Sequence, residues 1–184
     1  MIMTTFVVDT MLGKICRWLR LLGYDTAYST KNDDNQLLQI AETEGRVLLT
    51  SDAELHSRAQ GKDIPSVLLR GDVDEEIAAL FSRFSIDPRI DPAKSRCSKC
   101  NGHLTEISEA EKERIRGLVF EQTYNHYGRF WLCTDCNSVF FQGGHWNNIN
   151  RYMEHIRSLM EHTQKSVESS HATHYDRGFR PQPP

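Results

Sequence analysis

Two short cysteine knuckles, Cys97-Ser-Lys-Cys100 and Cys133-Thr-Asp-Cys136, constrain this chain more than any other feature. Each Cys-x-x-Cys bends back through its own tight turn, and two of them can set four thiolates around one tetrahedral ion. Disulfides are the other use of paired cysteines, but the opening MIMTTFVVD lacks a basic-then-apolar signal layout, so zinc is the expected occupant. A redox Cys-x-x-Cys is the competing reading, and two copies in one small region weigh against it. Residues 101–132 separate the knuckles, more than the usual spacing, so an insertion is expected between the two zinc loops. Four thiolates fill the coordination sphere, which makes the ion structural and leaves no open position for water. Cys16, the fifth cysteine, falls among apolar residues of a helix and reads as a small buried hydrophobe.

Ahead of the knuckles the apolar pattern alternates between strand and helix. Phe6-Val7-Val8 and Arg46 to Thr50 are continuous apolar runs of buried-strand type, and Tyr24 to Ser29 and Ser66 to Leu69 read as two more strands. Between them, residues 11–22, Asp33 to Glu44 and a segment from about Asp52 carry helical spacing, and a fourth helix carries Ile77, Leu80, Phe81 and Phe84. Alternating strands and helices imply an α/β fold with a parallel sheet flanked by helices. Asp87-Pro88-Arg89-Ile90-Asp91-Pro92 breaks the pattern, and the expected organisation is residues 1–90, a zinc module with a closing helix over 93–163, and a disordered tail over 164–184. The closing helix is expected over Asn148 to His162, with Ile149, Tyr152, Met153, Ile156 and Leu159 on one face.

Composition narrows the class. Hydrophobic residues make up 39% and charged residues 26%, which suits a globular protein. No apolar run approaches the roughly 20 residues that cross a bilayer, so no membrane contact and a cytoplasmic location are expected. A net charge of −3 argues against a generic nucleic-acid binder, but it averages 10 Lys/Arg against 15 Asp/Glu over residues 1–92 with 12 against 10 over residues 93–184. An acidic half joined to a mildly basic one suits a carboxylate site beside a module that grips a polyanion.

In an open parallel sheet, ligands bind outside the carboxyl ends of the strands. Asp9 follows the first strand, Asp52 stands two residues after RVLLT, Asp72 follows SVLLR by two, and Asp33 and Asp34 open the second helix. Unpaired carboxylates gathered at one edge repel each other, and hard, oxygen-loving Mg²⁺ or Mn²⁺ is the natural occupant. The competing reading of any single acid is a helix N-cap. Ser51-Asp52-Ala53-Glu54 and Asp33-Asp34-Asn35-Gln36 both have the capping-box form, with Ser51 and Asp33 as caps, which would leave Asp52 and Asp34 free for a metal.

Lys14, Arg17 and Arg20 recur in steps of three opposite the apolar face of the first helix, a stripe that would anchor phosphates beside the acids or simply be a solvated face. In Phe140-Phe141-Gln142-Gly143-Gly144-His145-Trp146, His145 and Trp146 could stack on unpaired bases, or Trp146 could pack the small zinc-module core with Phe140. Ser108 to Arg116 reads as a charged, solvated helix.

These residues resemble one family. Asp9-Thr-Met-Leu-Gly-Lys-Ile-Cys-Arg-Trp-Leu-Arg-Leu-Leu-Gly-Tyr-Asp25 is similar to the opening of the Mut-seven C-terminal RNase family. The likeness continues through Asp33-Asp34, Gly45-Arg-Val-Leu-Leu-Thr-Ser-Asp52, Arg96-Cys-Ser-Lys-Cys-Asn-Gly102, Cys133-Thr-Asp-Cys136 and Gly144-His145-Trp146, over roughly residues 5–157. The resemblance implies a PIN-like α/β fold followed by a four-cysteine zinc ribbon or treble clef, and a metal-dependent ribonuclease with RNA as its partner. By position it implies Asp9, Asp34 and Asp52 as catalytic acids that bind Mg²⁺ or Mn²⁺, with Asp33 and Asp72 as further acids. Cys97, Cys100, Cys133 and Cys136 are then the zinc ligands, and Lys14, Arg17, Arg20, His145 and Trp146 the RNA contacts. The alternative is a non-catalytic RNA-binding or scaffold protein that keeps the fold.

Overall fold

The computed structural model describes the backbone of residues 4–172 and the side chains of residues 4–162. Four short strands, β1 (Phe6–Val8), β2 (Thr26–Tyr28), β3 (Val47–Thr50) and β4 (Ser66–Leu68), form one parallel sheet in the order β2-β1-β3-β4. The helices α1 (Gly13–Leu21), α2 (Asp34–Glu44), α3 (Ala53–Gln60) and α4 (Val73–Arg83) alternate with them. Alternation along the strands sorts two cores. Phe6, Val8 and Leu49 face the cluster built with α1 and α4, while Val7 and Leu48 face Leu37, Leu38 and Ala41 of α2 and Leu55 and Ala59 of α3. Every residue of β1 is fully buried, as its unbroken apolar run requires.

The strand order places a topological switch between β1 and β3. The chain leaves β1 toward β2 on one side and returns to β3 on the other, so a crevice opens at their carboxyl ends. A single 3-10 turn, Thr10–Leu12, precedes α1 in place of the one continuous helix expected from residue 11.

The second unit is a three-stranded antiparallel sheet, β5 (Leu104–Ile107), β6 (Phe130–Cys133) and β7 (Val139–Phe141). Between β5 and β6 lie a 3-10 segment, Glu109–Ile115, and the short helix α5 (Glu121–His126). The charged helix expected at Ser108 to Arg116 is thus a tighter coil. It is not wholly solvated either, because Ile115 is fully buried with Ile107, Tyr124, Phe130 and Leu132.

Helix α6 (His145–Ala172) closes the chain. It begins three residues before the expected Asn148 and continues past His162 into the stretch read as a disordered tail; residues 173–184 of that stretch lie outside the described residues. Its apolar face docks on the parallel-sheet unit. Met153 and Ile156 are buried with Ile77, Leu80 and Phe81 of α4, and Tyr152 stacks on Trp18 of α1 at 4.7 Å between ring centres.

Candidate active site and metal centre

Asp9 ends β1 at the switch point, its backbone N–H bonded to the Leu49 carbonyl. It occupies the position before the 3-10 turn, yet its carboxylate makes no capping bond. Instead Oδ2 accepts from the Thr50 hydroxyl at 2.8 Å and Oδ1 from the Thr10 hydroxyl at 3.2 Å. Asp9 is 9% exposed, and among the described residues no cationic side chain pairs with it. Burying a carboxylate with hydroxyl partners alone is costly, and a cation at the free side of the group offsets that cost.

The other acids are more engaged. Asp52, rather than Ser51, is the N-cap of α3: its Oδ1 accepts from the N–H groups of Glu54 and Leu55 at 2.7 and 3.3 Å. The Thr50 hydroxyl accepts the Asp52 N–H at 3.0 Å, which extends the chain one residue further before α3 begins and moves the cap by one. The carboxylate keeps its second oxygen. Asp33 closes a reciprocal capping box with Gln36, as the pattern predicts. That leaves Asp34 outside the cap, where Arg58 of α3 reaches its Oδ2 at 3.1 Å. Asp72 caps α4 through the N–H groups of Asp74 and Glu75. Among the described residues, no three carboxylates converge as metal ligands; only the four cysteines do so.

The basic stripe on α1 divides. Arg17 is exposed and has no ion-pair partner among the described residues, whereas Lys14 pairs with Asp74 of α4 at 3.1 Å. Arg20 departs from the expected solvated face: it is 3% exposed. Its guanidinium donates to the Thr26 carbonyl at 2.8 and 3.0 Å and to the carbonyls of Ser98 and Lys99, inside the first knuckle. Helix periodicity cannot show this, because the partner lies far along the chain and covers α1 from a second side.

The four cysteine sulfurs lie within 4.8 Å of one another, with Cys97 to Cys136 at 3.6 Å and Cys100 to Cys133 at 3.4 Å. A tetrahedral zinc with ligands at about 2.3 Å sets its sulfurs about 3.8 Å apart, so the set can hold a zinc ion. Both knuckles are built alike. The carbonyls of Cys97 and Cys133 each accept from the N–H four residues on, at 2.8 and 2.9 Å, and each cysteine N–H donates to the carbonyl five residues on. In both, the residue after the second cysteine is an asparagine with positive φ, Asn101 at 73° and Asn137 at 55°. Asn tolerates that left-handed conformation better than other non-glycine residues. A Cβ at Gly102 would press on the exposed Asp135 carboxylate and lie 3.0 Å from Cys133 Sγ, so a side chain there would displace Asp135 and crowd the sulfur cluster. The Ser138 hydroxyl, first among several bonds, draws the Cys136 thiol down to about 6, while burial and the neighbouring sulfurs push Cys100 up to about 12. Thiols this close ionise together only around a cation.

The first knuckle is also pinned to β2. The Asn101 side-chain oxygen accepts the Thr26 N–H at 3.0 Å, and its amide donates to Asp25 Oδ1 at 2.8 Å. Hydrogen bonds from Arg46 and Asn101 hold the Asp25 carboxyl below the usual range although burial acts the other way. Of the aromatic segment, Phe140 and Phe141 lie in β7, His145 is the exposed first residue of α6, and Trp146 is half-buried in a small cleft with Trp131 and Phe140. Sequence reasoning missed Thr50, Asn101 and Arg58. A polar residue ending an apolar run, and an Asn directly after each knuckle, are the signals that mark the first two.

The fold joins a parallel sheet, with Asp9 and Asp52 at its switch point, to a cluster of four thiols that could hold a metal ion. The family model for the Mut7-C RNAse domain matches residues 4–153, and the chain belongs to that family. Membership places it among ribonuclease domains. No curated protein and no solved structure matches the chain. Among the described residues, no helix is long and apolar enough to cross a membrane.

Proposed function

We propose that this chain is a metal-dependent ribonuclease of PIN-like fold, hydrolysing RNA phosphodiester bonds at the edge formed by Asp9 and Asp52. The observation that carries this reading is the Asp9 carboxylate, nearly buried and without a cationic partner among the described residues. Asp9 and the second oxygen of Asp52 would hold Mg²⁺ or Mn²⁺. Such ions are commonly bound by one or two carboxylates together with substrate phosphates, so a preformed protein cage is unnecessary. When bound, the cation would supply an activated water and stabilise the leaving oxygen. Thr50 fixes the orientation of Asp9 and the backbone of Asp52, and Arg58 pairs with Asp34.

In this reading residues 1–90 carry the chemistry, and the zinc-bearing strands within 93–163 assist RNA binding. Arg17 and His145 are the exposed members of the expected RNA-contact set, with Trp146 partly available. A cytoplasmic location suits the four-thiol centre, because reducing surroundings keep thiols available to zinc. A non-catalytic RNA-binding role is the second reading, favoured by the Arg58 partner of Asp34 and the capping duty of Asp52.

The test is cleavage of an end-labelled mixed RNA pool with no added divalent ion, with Mg²⁺ and with Mn²⁺, by wild type and Asp9→Asn. Metal-dependent cleavage lost in the variant supports the enzyme. Binding without cleavage under all three conditions selects the second reading.

A further inference from the structure

Beside the acids lies a groove of about 420 Å³, lined by Met11, Leu12, Ser51, Leu69, Arg70 and Val73 among others. Its position follows from chain connectivity. Met11 and Leu12 come just after Asp9, Ser51 sits between Thr50 and Asp52, and Leu69 and Arg70 leave β4 on the same edge. The groove therefore runs from the carboxyl end of β1 across those of β3 and β4.

Its lining is unusual for a solvated surface. Only two large hydrophobic residues of the parallel-sheet unit are exposed among the described residues, Met11 at 79% and Val73 at 46%, and both line this groove. Exposed apolar side chains collected in one concavity mark a binding surface. Arg70 is exposed at the same place, and no ion pair engages its guanidinium among the described residues. Its backbone is held by the N–H bond to Glu76 Oε1 at 3.0 Å, so the cation projects from a fixed loop.

We propose that this groove is a nucleobase subsite, with Met11 and Val73 as the apolar walls for one unpaired base and Arg70 as the anchor for an adjoining phosphate. The proposal rests on the ribonuclease reading, which puts the scissile phosphate at Asp9. A base has flat apolar faces and a polar rim, which matches apolar walls ending in the Ser51 hydroxyl and a guanidinium. Methionine suits a base of any identity, since its flexible thioether adapts in shape and makes favourable contacts with aromatic rings. The subsite is thus expected to require single-stranded RNA and to tolerate any sequence.

The test is equilibrium binding, without added divalent ion, of two probes equal in length and charge: an oligouridylate and a phosphodiester oligomer of tetrahydrofuran spacers that lacks bases. Wild type is expected to prefer the oligouridylate by about tenfold, in the range that base contacts supply. Met11→Ser/Val73→Ser should abolish that preference while leaving spacer binding and the melting temperature unchanged, because both side chains are exposed. Arg70→Gln should weaken both probes alike. A wild type that binds the two probes equally, or a double variant that keeps the preference, overturns the subsite. Cleavage of the oligouridylate on adding Mn²⁺ is scored separately. Base-dependent binding through Met11 and Val73 with no cleavage supports the subsite and overturns the ribonuclease reading; cleavage without base preference does the reverse.

Discussion

The Thr50 hydroxyl donates to Asp9 Oδ2 at 2.8 Å while accepting the Asp52 N–H at 3.0 Å, so one fully buried side chain locks the ends of β1 and β3 together. Both bonds use the same oxygen, so the carboxylate of Asp9 and the start of α3 are oriented as a unit. A site built on such an edge has little freedom to rearrange.

Removing that oxygen tests the relationship. Thr50→Val keeps the shape but leaves the Asp52 N–H and Asp9 Oδ2 each short of a partner, which should destabilise the fold by about 1–3 kcal/mol. If Asp9 is catalytic, RNA cleavage should fall at least tenfold, and Thr50→Ser should restore most of it. Urea unfolding and single-turnover cleavage of the three proteins give both readouts. Full activity in the valine variant would end the positioning role.

Arg17 and Arg20 lie on the same helix yet should respond oppositely to loss of charge. Arg17→Gln should stay within about 0.5 kcal/mol of wild type, as exposed substitutions usually do. If Arg17 contacts phosphate, the slope of log affinity against log salt should fall by roughly 0.7 for single-stranded RNA. Arg20→Gln leaves the carbonyls of Thr26, Ser98 and Lys99 without their donor and should cost about 3 kcal/mol or more. Thermal melts and salt-dependent binding of each variant decide between grip and structure.

If the four thiols hold zinc, its removal should be felt in the parallel sheet as well as in β5–β7. The Thr26 N–H of β2 is bonded to Asn101, and Asn101 holds its left-handed turn within the first knuckle. Chelation should therefore raise hydrogen exchange at Thr26 along with residues of β6, whereas Leu49 in the central strand should stay protected. An unchanged Thr26 amide in the zinc-free protein would show that the knuckle keeps its shape without metal.

Much of this architecture is legible in the amino-acid sequence. Parallel strands buried on both faces read as unbroken apolar runs, and Phe6–Val8 and Val47-Leu48-Leu49, closed by the polar Thr50, are such runs. The knuckles announce the four-sulfur cluster because Cys-x-x-Cys geometry is local. The pattern misleads where a local rule has two solutions. Ser51 and Asp52 both satisfy the capping pattern before Ala53, and the side chain of Thr50 selects Asp52. The amphipathic face of α6 is visible in Met153 and Ile156, but not its partner, since a stripe says which side is buried and not against what. Arg20 escapes the pattern for the same reason: a second burial surface on α1 comes from residues far along the chain.

The docking of α6 should be sensitive to acid through Asp74. This carboxylate of α4 accepts from Tyr152, pairs with Lys14 of α1 at 3.1 Å, and faces His155 Nε2 at 3.5 Å, so three helices meet on it. The Tyr152 hydrogen bond, followed by Lys14 and His155, holds Asp74 below the usual carboxylate range despite partial burial. A carboxyl that is more acidic in the folded state contributes stability above its unfolded pKa of about 3.9, and the contribution fades as pH falls through the folded value. Burial and then the bond to Asp74 push the Tyr152 hydroxyl up to about 12, so its own contribution is present below its unfolded pKa of about 10 and is lost at higher pH. Asp74→Asn should destabilise the chain by about 1–2 kcal/mol at pH 7, a modest value for a charged acceptor that is partly exposed. The gap between wild type and variant should narrow below pH of about 4. Any zinc held by the four thiols would leave both proteins at that pH as the thiolates protonate, so the comparison is of differences, taken from urea unfolding at each pH. A gap that stays constant from neutral to acid would mean that the carboxylate's charge contributes nothing to holding α6 on α1 and α4.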